Sequence, residues 1–344
     1  MDSLETILSL TDADELKSLY RQAYAEKLRY IGPHVSVRGL IESGNVCAKD
    51  CYYCGIRKSN SKVRRYQLGE DDIVRLAEAA KSFGYASVVI QSGEIESEAH
   101  TQMIERVLKR LAALDLGVTL SLGEQEADVY KRWREAGATR YLLRIETANA
   151  KLYSRLHPAD HSWYRRVECL RTLRQLDYQV GTGVMCALPG ETVQDLADAI
   201  RFFRDEDVDM IGMGPYIPHP DAPLDGVQPL TKAERLAWGL KMIAATRLAL
   251  PKVNIAAATA LQALADDGRE QGIMAGANVI MPNVTDVEYR ADYQLYAGKP
   301  CLNENAGLCR SCLDRRLAAI GEKILYGERG DSLRYFERCK NAQR

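Results

Sequence analysis

The chain alternates, and that alternation limits its folds more than any other feature. Eight β-rich runs recur at 35–43 (VSVRGLIES), 86–93 (ASVVIQSG), 117–124 (GVTLSLGE), 139–147 (TRYLLRIET), 178–190 (YQVGTGVMCALPG), 209–218 (DMIGMGPYIP), 252–260 (KVNIAAATA) and 277–283 (ANVIMPN). Between them lie stretches with apolar residues at helical spacing, such as EDDIVRLAEAAKSFG and TVQDLADAIRFFRDED. Parallel strands need a crossover between them, and an amphipathic helix supplies one. Eight such units over roughly 250 residues fit an α/β fold of the (β/α)8 TIM-type barrel, with an open doubly wound sheet as the alternative. Gly84, Gly117 and Gly137 stand where helix C-caps would fall. Residues 1–34 read as a helical N-terminal extension, 35–299 as the barrel and 300–344 as a cysteine-bearing C-terminal tail.

Barrel active sites lie at the C-terminal ends of the strands. Here the runs end on polar residues, among them Glu42, Ser92, Glu94, Ser121, Glu124, Arg144, Glu146, Thr147 and Thr259. A net charge of −1 gives no polycationic surface for nucleic acid or an anionic membrane. The acidic, helix-patterned start lacks a signal-peptide pattern, and no apolar run reaches the roughly 20 residues of a membrane span. A cytoplasmic location is therefore expected. Thiols stay reduced there, so the nine cysteines point to metal or catalysis rather than disulfides.

Three of the nine crowd into NVCAKDCYYCG, as Cys47, Cys51 and Cys54. Structural zinc wants four ligands, so three thiolates leave its shell open. On a [4Fe–4S] cluster the same three hold three irons and leave the fourth for a substrate or cofactor. Zinc with a fourth, catalytic ligand is the competing reading.

C-x3-C-x2-C in this order after the first strand, with Tyr53 before the third cysteine, resembles the signature of the radical S-adenosylmethionine (SAM) enzymes. Longer words, IESGNVCAKDCYYCGIR, VVIQSGE, AGATRYLLRIETAN, IGMGPYIPHPDAPL and AGANVIMPNVT, resemble one family among them, the [FeFe]-hydrogenase maturase HydE, related to biotin synthase and methylornithine synthase. The resemblance implies a [4Fe–4S] cluster on Cys47, Cys51 and Cys54, and reductive cleavage of SAM to a 5′-deoxyadenosyl radical. It implies SAM contacts from Tyr53, Ser92, Glu94, Ser121, Arg144, Glu146, Arg166, Met185 and Tyr293. A deeper substrate and anion cavity would be lined by Arg38, Gln91, Thr119, Thr259, Met281 and Tyr296. The implied substrate is an iron–CO–cyanide–cysteine synthon from the maturase HydG, with product passing to HydF, and a ferredoxin or flavodoxin donating electrons.

The chain departs from the family pattern at Ile145, where the family carries His, and at Ala258, where it carries a second Thr. Arg165 and Arg166 compete for one SAM contact. Cys301, Cys309 and Cys312 match the place of a second Fe–S cluster; zinc completed by another residue, or reduced surface thiols, are the alternatives. A biotin synthase-like sulfur insertion would need a further cluster held inside the barrel, and Cys186 is the single strand cysteine to offer. A methylornithine synthase-like enzyme and a non-catalytic Fe–S carrier are the other readings. His34, His100, His157, His161 and His219 show no ligand spacing, and His219 in PYIPHPDAP reads as a turn-bracing residue.

Overall fold

A computed structural model describes residues 3–224, 229–303 and 306–342, without the side chains of Ala306, Leu308, Cys309 and Ala342. The strands are β1 His34–Val37, β2 Gly39–Gly44, β3 Ser87–Ser92, β4 Gly117–Ser121, β5 Arg140–Leu142, β6 Gln179–Thr182, β7 Met185–Cys186, β8 Met210–Pro215, β9 Asn254–Ala257, β10 Val279–Ile280 and β11 Lys323–Leu325. Every pairing is parallel, in the order β11-β1-β10-β9-β8-β6-β5-β4-β3-β2, with β7 beside β8.

β2, at one end of that order, and β1, next to β11 at the other, are one strand broken at Arg38. β1 pairs with β10, and β2 pairs with β3. Arg38 N donates to Ile280 O at 3.0 Å, Leu40 N to Pro282 O at 2.8 Å, and Val284 N to Leu40 O at 2.9 Å. The ring therefore closes, and the sheet is a TIM-type barrel rather than an open one. Its strands are buried on both faces, which is why they read as continuous apolar runs: Val88, Val89 and Ile90 on β3 are all fully buried.

Helices fall where the periodicity puts them, and their ends have local causes. Thr192 and Thr231 each form a capping box, with Asp195 and Glu234, ahead of Val193–Asp205 and Lys232–Ala249. Gly137, at φ 122°, caps Ala127–Ala136. Gly117 is a different case. It opens β4, and the helix before it ends through Ala113, with Asp115 taking the left-handed backbone at φ 55°. A Cβ on Gly117 would stand 2.8 Å from Arg140 Nη1 and 2.9 Å from Ser87 Oγ, so glycine is needed there for close approach.

Those neighbours belong to the barrel floor, the N-terminal ends of the strands, and the tail closes it. Ser87 Oγ donates to Arg329 O at 2.7 Å, Asn254 Nδ2 to Gly330 O at 2.9 Å, and Arg140 Nη2 to Arg329 O at 2.8 Å. Asp331 accepts from Arg140 and from Gln179 Nε2, and Gln179 Oε1 accepts from Ser332 N at 3.1 Å. Upstream, β11 extends the sheet beside β1. Glu322 just before it forms a fully buried ion pair with Lys27 of the N-terminal helix Ala13–Tyr30. Both chain ends are thus tied to the barrel's underside. No helix among the described residues is long and apolar enough to cross a membrane.

Candidate functional site

At the opposite end, the mouth, residues 45–66 leave β2 as an irregular loop carrying Cys47, Cys51 and Cys54. Four segments dock it: Ala48 N donates to Glu94 O at 2.8 Å, Tyr52 N to Leu156 O at 2.9 Å, Leu224 N to Tyr52 O at 3.1 Å, and Gly55 N to Leu295 O at 3.0 Å. Asn45 N donates to Tyr66 O at 3.1 Å and joins the loop's own ends. Two glycines permit the fit: a Cβ on Gly93 would lie 2.2 Å from Val46 O, and one on Gly55 2.2 Å from Gln294 O. His161 Nε2 accepts from Asp50 N at 3.1 Å, and His157 Nε2 pairs with Tyr53 OH at 3.2 Å. These two histidines brace the loop, a role their spacing in sequence does not advertise.

The three thiols share one space. Burial pushes Cys51 up to about 12 and raises Cys47 and Cys54 as well; the charges of Cys47 on Cys51 and of Cys51 on Cys54 add to this. Backbone amides oppose it: Glu94 N points at Cys47 Sγ at 3.4 Å, and the Ile56 amide serves Cys54. Buried thiols close enough to repel as anions, with N–H donors at sulfur, need a cationic centre to become thiolates. A four-iron cluster is such a centre, and this donor set fits one with three protein ligands.

Beside the thiols lies a buried charge network. Lys49 Nζ is 3.0 Å from Glu94 Oε1 and 3.4 Å from Glu124 Oε2. Arg166 Nε donates to Glu124 Oε1 at 2.8 Å, its Nη1 to Arg144 O at 3.0 Å, and its Nη2 lies 3.7 Å from Glu94 Oε2. Burial raises the Glu94 carboxyl above the usual range, while Arg166 and Lys49 pull it down. Gly123, at φ 80°, makes room for this carboxylate, since a Cβ there would sit 2.2 Å from Glu94 Oε2. Arg166 is in this network; Arg165 is half exposed and pairs with Glu126 at 2.5 Å. Lys49 was not among the expected site residues, and Glu124 was expected only as a polar residue on the rim, because their partners lie 30 to 75 residues away and only the fold unites them.

Arg144 and Glu146 pair at 3.0 Å, as two residues on one face should. They stand past β5, however, which ends at Leu142, and Glu146 takes φ 63°. Ile145 between them is fully buried in the main core. Tyr53 and Met185 pack against a small apolar cluster of Leu152, Leu156, Leu188 and Tyr216. Ser92 and Ser121 end β3 and β4 as half-buried hydroxyls. Tyr293 OH accepts from Gln91 Nε2 at 3.1 Å, and Tyr296 reaches Thr259, the first residue of the helix Thr259–Leu264 after β9. Lys299, unexpected from sequence, pairs with buried Glu42 and donates to Tyr293 O at 2.8 Å, holding this cover on the rim.

Inside the barrel a small cavity of about 20 Å³ is lined by Arg38, Thr119, Met210 and Met281 among others. Thr119 Oγ1 and Arg38 Nε are buried without a hydrogen-bond partner. Arg38 lies at the lower end of this space, donating to Met210 Sδ at 2.9 Å and to Gly330 O at 3.2 Å. In the tail, Cys301 and Cys312 are half-buried and form no disulfide, and the Cys309 side chain lies outside the described residues. Arg290 Nη1 donates to Cys301 O at 2.9 Å, and Arg269 Nη2 lies 4.0 Å from its sulfur.

Comparison with known proteins identifies the family and the fold. The radical SAM superfamily profile matches residues 41–203. The [FeFe] hydrogenase maturase subunit HydE of Thermotoga maritima is 42% identical over 320 residues, 93% of this chain and 90% of that protein. The 3-methylornithine synthase of Methanosarcina acetivorans is 27% identical over 85% of this chain and 82% of its own length. Among solved structures, methylornithine synthase PylB superposes with a TM-score of 0.79 at 26% identity, covering 94% of this chain and 93% of that one. HydG from Carboxydothermus hydrogenoformans shares the fold, with a TM-score of 0.78 at 16% identity over 94% of this chain and 75% of its own.

Proposed function

The chain belongs to the radical SAM superfamily and, within it, to the HydE family of [FeFe]-hydrogenase maturases, and from that premise we propose how its residues divide the work. It is a radical SAM enzyme of hydrogenase maturation, and the family's cofactors are a [4Fe–4S] cluster and SAM. When bound, that pair supplies one-electron cleavage of the S–C5′ bond to methionine and a 5′-deoxyadenosyl radical.

Cys47, Cys51 and Cys54 hold the cluster in this reading, leaving one iron for the SAM amino and carboxylate groups. The single observation that carries it is three neighbouring buried thiols on one loop at the barrel mouth, each raised by burial and the first met by an amide. Glu94 receives the SAM amino group, and the charges of Arg166 and Lys49 oppose the effect of burial on that carboxylate. Arg144 and Glu146 serve the SAM ribose and carboxylate. Tyr53 and Met185 offer an apolar wall, and Ser92, Ser121 and Tyr293 complete the contact. The cover held by Glu42 and Lys299 excludes water from the radical.

Below SAM, Arg38, Gln91, Thr119, Thr259, Met281 and Tyr296 face the substrate, an iron–CO–cyanide–cysteine synthon supplied by HydG, with product delivered to HydF. The unpartnered Thr119 hydroxyl and the buried Arg38 cation support an anionic guest. Ala258 leaves this cavity one hydroxyl short of the family pattern. Cys301, Cys309 and Cys312 form a second, relaying or structural Fe–S site. A ferredoxin or flavodoxin reduces the enzyme in the cytoplasm.

Anaerobically reconstituted protein given SAM and dithionite should release 5′-deoxyadenosine and methionine in equal amounts. No cleavage makes it an Fe–S carrier. In a maturation mixture containing HydG and HydF but no HydE-type protein, addition of this chain should restore hydrogenase activity. Cleavage without restoration points instead to a small organic substrate.

A further inference from the structure

The cysteine loop has little regular structure to satisfy its own main chain. Between residues 45 and 60 it makes few internal bonds, among them Cys54 N to Cys51 O at 3.1 Å and Lys58 N to Lys49 O at 2.8 Å. Its other carbonyls need donors from outside. One side chain meets five of them. Arg65 Nη1 donates to Asn45 O at 2.7 Å and Ile56 O at 2.8 Å, while Nη2 donates to Arg57 O at 2.6 Å, Lys58 O at 3.3 Å and Asn60 O at 3.0 Å.

The pair bridged by Nη1 brackets the motif: Asn45 stands two residues before Cys47, and Ile56 two residues after Cys54. A single nitrogen therefore ties the entry of the cysteine loop to its exit. Arg65 is itself fixed from behind, because the chain returns antiparallel along the end of β2. Tyr66 N donates to Asn45 Oδ1 at 2.8 Å, Leu68 N to Ser43 O at 2.8 Å, and Asn45 Nδ2 to Arg64 O at 2.8 Å. Among the described residues no carboxylate pairs with Arg65, so its charge is left to act on its surroundings, and Cys47 feels it.

We propose that Arg65 is a positioning residue for the cluster, its guanidinium fork clamping the two ends of the Cys47–Cys54 loop. This rests on the reading of those cysteines as cluster ligands. A planar fork with several donors in fixed directions can hold five carbonyls; an ammonium on a flexible stem cannot. Two variants separate the geometry from the charge. Arg65→Lys keeps the cation and loses the fork, and Arg65→Met loses both.

The test uses the full chain reconstituted anaerobically, with iron per chain, the rate of iron release to a chelator, the midpoint potential of the cluster, and the melting midpoint of the iron-free protein. Arg65→Lys should melt with wild type when iron-free, hold wild-type potential, and release iron at least tenfold faster. Arg65→Met should release it faster still and shift the potential to more negative values. Iron release by Arg65→Lys at the wild-type rate overturns the inference. So does an iron-free Arg65→Lys protein that melts well below wild type, which makes the residue a general fold support. Wild type that takes up no four-iron cluster overturns the cofactor reading instead.

Discussion

Buried carboxylates at the two ends of the barrel are shifted in opposite directions. At the mouth, burial holds Glu94 and Glu42 above the usual carboxylate range, and lifts Glu191 in the loop after β7 to about 8. At the floor, burial would also raise Asp331, but the Arg140 guanidinium and a bond from Gln179 hold it below. The signs follow. A carboxylate whose native value is raised costs stability above its unfolded range, and that cost is relieved as pH falls. One whose native value is lowered contributes stability above its unfolded range, and loses it as pH falls through the native value. Among the cations the signs reverse, with Arg38 and Arg140 lowered by burial and Lys49 and Arg166 raised, against burial, by their carboxylate partners. The floor carboxylate of Asp331 supports the fold, and the mouth carboxylates of Glu94 and Glu42 are charged at its expense. That division is the one expected of a barrel whose chemistry sits at the strand C-termini.

The largest effect that would test this contrast is loss of a mouth thiol. Cys51→Ala should abolish SAM cleavage and the four-iron chromophore, while the iron-free protein melts within a few degrees of wild type. Next is Glu94→Gln, expected to lower SAM cleavage roughly 100-fold, about 3 kcal/mol of differential binding. Denaturant titration at pH 7 should find the variant no less stable than wild type, because the charge it removes is the one burial disfavours.

Asp331→Asn should do the reverse. Breaking its pair with Arg140 should cost about 2 kcal/mol of folding stability, a figure reduced for partial solvent access, with SAM cleavage per folded molecule within about twofold of wild type. The gap between Asp331→Asn and wild type should persist down to pH 5 and shrink below the ordinary carboxylate range, read from denaturant midpoints across pH. Smallest is Arg165→Gln, which should change SAM cleavage less than about twofold, since its exposed pair with Glu126 is worth little. Should Arg165→Gln lose as much as Arg166→Gln, the wrong arginine has been put in the network.

The mouth was far more legible in sequence than the floor. Cys47, Cys51 and Cys54 announce themselves by spacing, and Arg144 and Glu146 by strand periodicity, although β5 ends at Leu142, sooner than the apolar pattern does, and Glu146 takes a left-handed backbone. The break at Arg38 is invisible in VSVRGLIES, because both halves are extended and almost wholly buried. ERGDSL, which closes the floor, has no apolar period at all. It works through carbonyls and one carboxylate, and its partners Ser87, Arg140, Gln179 and Asn254 lie 76 to 242 residues away. Arg65 is hidden for a related reason: its acceptors are main-chain carbonyls, which carry no side-chain signature. Lys49 and Lys299 needed the closed ring to bring them to Glu94 and Glu42.

The most direct measurement is electron paramagnetic resonance of the reduced protein with and without SAM, on a chain in which Cys301, Cys309 and Cys312 are serine. One [4Fe–4S]+ signal should appear, and its g-values should move when SAM is added, because an iron without a protein ligand accepts the cofactor. A cluster whose spectrum ignores SAM, or iron that fails to assemble on Cys47, Cys51 and Cys54, would contradict the account.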